Sequence, residues 1–225
     1  LGERPANERT LSVMSALIQD GDIRTALQPF THAGPWGCLI DADESRLAEH
    51  DVQAFEMGEL MSSADALGAV LPCLVHTLEA RFDGRPTLLI LDEAWAYLRD
   101  SAFANQIQAW LKTLRKKNVA VVFATQELAD VEASTIAATI LEACPTRIFL
   151  ANDRAREPRT RAFYEGLGLN ARQIALIAEA APKRDYYVQT RSGARLIDLV
   201  LGPAALAFLG ASTPQDQRDI DAVNG

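Results

Sequence analysis

Four consecutive apolar residues, Leu88-Leu89-Ile90-Leu91, run straight into two carboxylates, Asp92-Glu93. A strand that is apolar at every position has no face to give to water, so it belongs in a parallel sheet covered on both sides. Parallel strands need long crossover connections, and the sequence supplies one. A helix predicted over about 102–116 carries Phe103, Ile107, Trp110, Leu111 and Leu114 at helical spacing. A second apolar strand follows at 119–124, and a third at 147–150 after a helix predicted at 134–143. Strand and helix alternate, which makes the class α/β.

Upstream, Leu11, Met14, Leu17 and Ile18 read as a helix, and Ile23, Ala26 and Leu27 as another after the Asp20-Gly21-Asp22 break. Trp36 to Ile40 and Val52 to Phe55 read as short strands. The stretch 67–81 is a helix with Leu67, Val70, Leu71, Leu74, Val75 and Leu78 on one face. Beyond the third strand, helices at 159–165 and 171–179 lead to a β-hairpin, 186–190 with 195–200, turning at Ser192-Gly193. A short helix at 203–209 precedes a polar tail expected to fray. The expected organisation is a helical subdomain over 1–30, an α/β core over 31–211 and the polar tail over 212–225.

The carboxylate pair lies where open α/β sheets bind ligands, at the C-terminal edge of a strand. A nucleoside-triphosphate hydrolase needs one carboxylate to hold Mg²⁺ and its waters, and another to orient or deprotonate the attacking water. Asp92 and Glu93 match those roles in a Walker B pattern; they would serve equally as an acidic helix start. The next strand ends in Thr125-Gln126, where an amide could reach a γ-phosphate or its attacking water. The competing reading is a loop Gln bonded to backbone. Between the two strands, Lys112, Arg115, Lys116 and Lys117 close the intervening helix. Cations are favoured at a helix C-terminus, so a solvated helix end is the plain reading. The functional alternative is an arginine finger reaching a neighbouring subunit's nucleotide, with Arg115 the candidate and Arg147 second.

Several classes are excluded. None of the 13 glycines sits in a G-x-x-x-x-G-K-[ST] arrangement, so this sequence carries no phosphate-cradling loop. It starts at Leu1 with neither an initiator Met nor a signal peptide. The expectation is a piece of a longer protein whose P-loop strand lies upstream, inactive as an ATPase by itself. Twenty-two basic against 30 acidic residues, net −8, argue against a dedicated nucleic-acid-binding domain. No apolar stretch approaches the roughly 18 residues of a membrane span. Cys38, Cys73 and Cys144 fit no metal or redox spacing, and neither do His32, His50 and His76. Ser12, Ser45 and Ser101 lack a nucleophile elbow. Arg154, Arg156, Arg159 and Arg161 interleave with Asp153 and Glu157 as a solvated helix start does.

The ordered set of motifs resembles the C-terminal motor domain of TrbE-like conjugative-transfer and type IV secretion ATPases, over nearly the whole chain. It is carried by Arg9-Thr10-Leu11, by Leu88 to Trp95, and by Trp110 to Asn118 leading to Phe123-Ala124-Thr125-Gln126. It continues through Cys144 to Asn152, Phe163-Tyr164, Pro182 to Tyr187 and Leu201 to Phe208. Ala151 departs from it, since relatives often have Pro before Asn there. The resemblance implies a RecA-like P-loop NTPase core of the HerA and FtsK group, a mostly parallel sheet flanked by helices with a helical insertion at the start and a C-terminal β-hairpin. It implies ATP and Mg²⁺ as cofactors, with Asp92 and Glu93 serving the metal and water, Thr125 and Gln126 contacting nucleotide, and Gln126 sensing the γ-phosphate. It also implies a hexamer on the cytoplasmic face of the bacterial inner membrane, working with other secretion subunits on pilus assembly and DNA or protein cargo. Two alternatives stand beside it: a non-hydrolysing docking module, and a motor that grips DNA directly.

Overall fold

A computed structural model describes residues 5, 8–43, 50–61, 63–93, 98, 101–126, 134–210 and 213–224. The chain divides into two compact units, Leu1–Ala124 and Thr125–Gly225.

In the first unit, α1 (Leu11–Leu17) and α2 (Gly21–Leu27) form where the periodicity places them. Thr10 Oγ1 accepts from the Val13 N–H, and the Asp20 carboxylate from those of Asp22 and Ile23. Both satisfy donors that a helix start leaves without partners. The run Trp36 to Ile40 differs from its predicted strand: Gly37–Ile40 is one helical turn, α3. The chain arrives already curled, because Trp36 N–H donates to the Pro29 carbonyl and Gly34 N–H to that of Thr31. A side chain at Gly37 would stand 2.0 Å from the Thr31 carbonyl oxygen, so only glycine allows this return. Val52 to Phe55 takes no regular structure where a short strand is predicted. Next come α4 (Gly58–Met61) and α5 (Ala64–Arg81). Trp36, Ile40, Met57 and Leu67 pack around Leu60, Ala66 and Val70.

Strand β1 (Thr87–Leu91) follows, then α6 (Ser101–Thr113), whose end tightens into a 3₁₀ turn at Leu114–Lys117, then β2 (Val119–Phe123). The predicted inner face of α6 is buried at Phe103, Ile107, Trp110 and Leu114. Trp110 packs edge-on against Phe82, ring centroids 5.8 Å apart. Its indole N–H donates to Glu79 Oε1 at 2.6 Å, and Gln106 Nε2 donates to the same oxygen at 3.0 Å. One carboxylate thus ties α5 to α6. Strands β1 and β2 pair in parallel, from Thr87 beside Val119 to Leu91 beside Phe123. One face of the pair is partly buried, while Leu88, Ile90 and Val122 on the other are exposed. The all-apolar pattern predicts cover on both faces, and among the described residues one face stays open.

The second unit contains α7 (Ala137–Ala143), β3 (Arg147–Leu150), α8 (Pro158–Gly166), α9 (Ala171–Glu179), β4 (Asp185–Thr190), β5 (Gly193–Asp198), α10 (Pro203–Leu209) and α11 (Pro214–Asn224). The predicted hairpin forms as β4 and β5, and β3 joins it on the other side in an antiparallel sheet of order β3-β4-β5. Phe149 pairs across to Tyr187, and its ring meets that of Tyr164 edge-on at 5.8 Å. Together with Leu169, Ile174 and Ile177 these aromatics form the core of the unit. Asn170 and Gln173 cap α9 reciprocally, each side chain accepting from the other's backbone N–H. The C-terminal stretch, expected to fray, forms α11. Thr213 and Asp216 cap it: the Thr213 N–H and hydroxyl donate to Asp216 Oδ2, and the Asp216 N–H donates back to Thr213 Oγ1.

Candidate functional site

The register of β1 and β2 brings their C-terminal ends level, and the Ala124 N–H extends the pairing by donating to the Leu91 carbonyl at 3.0 Å. Asp92 and Glu93 form the turn leaving β1 at this edge. Asp92 is exposed, and its Oδ1 accepts from the Glu93 backbone N–H at 3.2 Å. Glu93 is half-buried and holds φ at 50°. A left-handed backbone is uncommon outside Gly, Asn and Asp. Such strain collects at functional turns, where the surrounding structure holds it. Sequence reasoning identified the carboxylates and had no signal for this conformation.

Thr125, half-buried, and Gln126, exposed, follow Ala124 in the chain and open the second unit. Arg115 stands elsewhere. It is exposed in the 3₁₀ turn after α6 and lines a shallow cavity of about 390 Å³ with Pro86, Thr87 and Asn118, at the N-terminal ends of β1 and β2. A strand rises about 3.3 Å per residue, which sets Arg115 about 16 Å along the pair from the acidic turn. The structure therefore does not bring Arg115 together with Asp92 and Glu93 in one chain. Arg147 has a different occupation. Its guanidinium donates to the carbonyls of Leu167 at 2.8 Å and Leu141 at 3.0 Å, inside its own unit.

Asn118, unassigned by sequence reasoning, fixes the end of the Arg115 turn. Its φ is 60°, its carbonyl accepts from Thr87 N–H, and its Nδ2 donates to the Gly84 carbonyl. An Asn directly after a basic helix end was the available signal. Asp41, directly after α3, is 2% exposed and accepts from the Ser12 hydroxyl and from the Ser12 and His32 N–H groups. Burial raises its pKa, but these hydrogen bonds, with a further one from the Leu11 backbone, outweigh burial and hold the carboxyl below its ordinary value.

The donor set suits Mg²⁺. Asp92 and Glu93 offer hard carboxylate oxygens, and Mg²⁺ in nucleotide sites rests on one or two carboxylates completed by phosphates and water. Among the described residues no cluster of three or more His, Cys, Asp or Glu is arranged to hold a metal ion.

A parallel strand pair joined by a helical crossover, with adjacent carboxylates at its C-terminal edge, defines an α/β domain of the RecA-like kind. The chain belongs to the TraG P-loop domain family, whose model matches residues 15–190. It is 48% identical over 96% of its length to the conjugal transfer protein TrbE of Rhizobium radiobacter, covering 26% of that protein. It is 30% identical over 79% of its length to the type IV secretion system protein virB4 of Bartonella henselae, covering 23% of it. The chain thus spans about a quarter of the length of these relatives. Its fold matches the structure of VirB4 of Thermoanaerobacter pseudethanolicus with a TM-score of 0.65, at 14% identity, over 91% of this chain and 59% of that one.

Proposed function

We propose that this chain is the Walker B-bearing part of a motor ATPase that couples Mg-ATP hydrolysis to conjugative transfer or type IV secretion. The observation that carries the reading is the acidic turn. Two carboxylates leave an apolar parallel strand at its C-terminal edge, the second in a strained backbone, in a chain of the TraG P-loop domain family. Asp92 holds Mg²⁺ through water. Glu93 orients the attacking water and takes its proton, and Thr125 and Gln126 contact the nucleotide, Gln126 at the γ-phosphate. When bound, Mg²⁺ bridges phosphate oxygens and neutralises charge that develops on them. Arg115, at the far end of the strands, serves a neighbouring subunit's nucleotide in a homo-oligomer, with six copies the expected number.

No helix among the described residues is long and apolar enough to cross a membrane. The family resemblance is what supports a place on the cytoplasmic side of the inner membrane, with other secretion subunits and with DNA or protein as cargo. Since the sequence contains no G-x-x-x-x-G-K-[ST] loop, the chain by itself does not turn ATP over. A second reading is a docking module that keeps the fold without the chemistry.

The test is turnover in a longer chain that also carries such a loop, beside its Glu93→Gln variant. The motor reading expects the variant to bind nucleotide with wild-type affinity while turnover falls by at least 10²-fold, the lower range for losing a catalytic base. Equal rates in both proteins would overturn the role of Glu93, and no turnover in an assembled wild type would establish the docking module instead.

A further inference from the structure

Two polar atoms in the second unit are sealed from solvent and have no hydrogen-bond partner: Arg147 Nε, a donor, and Gln189 Oε1, an acceptor. They belong to neighbours. Arg147 on β3 stands directly opposite Gln189 on the antiparallel strand β4, and side chains at opposed positions share one face, with Cβ atoms about 4.5–5.5 Å apart. That face is the inner one, because Phe149 and Tyr187, the next opposed pair on the same side, pack in the core of the unit.

The other end of the guanidinium is already held. Nη1 donates to the carbonyl of Leu167, the residue that ends α8, and Nη2 to that of Leu141 in the last turn of α7. Helix ends leave such carbonyls without partners and favour a cation beside them. At Leu141 the need is absolute within the helix, because the residue four positions on is Pro145, which has no N–H to give. Two bonds fix the guanidinium plane, so Nε cannot turn out to water. An unmet buried donor beside an unmet buried acceptor is costly, and nearly all such groups in folded proteins are paired. Neither atom can be reached from outside, so neither a neighbouring molecule nor a further stretch of chain meets it. The missing partner has to accept from Nε–H and donate to Oε1 at once. An anion fails the second requirement, and a metal cation is repelled by the guanidinium. Water satisfies both, and buried waters occupy polar sites of this kind.

We propose that the inner face of the β3–β4 pair contains a binding site for one internal water molecule, which accepts from Arg147 Nε–H and donates to Gln189 Oε1. The water ties β4 into the brace that Arg147 makes between β3, α7 and α8. It also commits Arg147 to its own unit, away from any neighbouring subunit's nucleotide. The inference stands on the second unit alone and does not require the hydrolysis reading.

The experiment is NMR detection of water contacts in the full 225-residue chain, isotope-labelled. The Arg147 Nε–H signal, assigned by its loss in Arg147→Lys, should show cross-peaks to water of opposite sign in NOE and ROE spectra, as a resident water gives. Exchange with solvent gives equal signs. An Nε–H with no water cross-peak, or with exchange peaks only, overturns the proposal. Denaturant titration supplies a second readout. Gln189→Met keeps the length of the side chain and removes the acceptor, and it should lower the unfolding midpoint. A raised midpoint, the result of deleting an acceptor that has no partner at all, overturns the proposal. In the Arg147→Lys background Gln189→Met should shift the midpoint less than in the wild type, because the water has already lost one of its two holders. Equal shifts in the two backgrounds would mean that the side chains share no ligand, and would overturn it as well.

Discussion

Glu93 carries the sharpest residue-scale conflict, a side chain placed for chemistry on a backbone conformation that suits a different residue. Asn tolerates the left-handed region, so Glu93→Asn should raise unfolding free energy by on the order of 1 kcal/mol. In a longer chain carrying a phosphate loop, the same change should abolish turnover. Denaturant titration beside an activity assay reads both, and a less stable variant would show that the turn is not strained by its residue. Asp41 makes the opposite case, a polar group whose surroundings fit it. With its folded pKa held below the ordinary carboxylate value near 3.8, its stabilisation is complete above that value and disappears as pH falls through the folded pKa. Melting curves between pH 6 and pH 2 should therefore fall less steeply in Asp41→Asn than in the wild type, and parallel curves would remove Asp41 as a cause. Asp92 and Glu93 were legible because a strand edge and adjacent carboxylates are both written in local sequence. Asp41 was not, since its partners Ser12 and His32 lie 29 and 9 residues away.

At the scale of elements, periodicity succeeds where an element is long enough to show its period. Helices α5, α6 and α9 and strands β1, β2 and β3 fall within a few residues of their predicted ranges. It fails at Trp36 to Ile40, because five apolar residues are equally compatible with one helical turn and the deciding hydrogen bonds are accepted by the Pro29 and Thr31 carbonyls. It fails again at α11, where the polar composition suggested fraying and the Thr213–Asp216 cap decides otherwise. Helix α5 contains a cost of its own: Pro72 sits in the helix interior, exposed, where it removes a backbone hydrogen bond. Proline there costs about 3 kcal/mol relative to alanine. Pro72→Ala should stabilise the first unit by roughly 1–3 kcal/mol, since it restores a backbone donor and removes the clash of the ring with the preceding turn. An unchanged denaturation midpoint would mean that the proline costs this helix nothing.

The whole molecule has two units with separate cores, and the tryptophans report on only one. Trp36, Trp95 and Trp110 all precede residue 125. Ile177 is fully buried in the core of the other unit, and truncating such a side chain costs about 2–5 kcal/mol. Ile177→Ala should therefore move the circular-dichroism transition of the second unit downward and leave the tryptophan-fluorescence transition in place. Coincident shifts would show one cooperative fold. This division was invisible in the sequence, where β2 runs into Thr125 without a proline, glycine or change of composition to mark a boundary.

Strand β5 ends the sheet with its outer edge exposed along its whole length, and unpaired edges of this kind invite further strands to add sideways. Here the strand carries Arg195 and Asp198. In-register stacking would set each Arg195 above another at the roughly 4.8 Å strand spacing, and each Asp198 above another. Like charges repeated at that interval oppose fibril growth, so this molecule can keep an open edge at high concentration without nucleating cross-β aggregates.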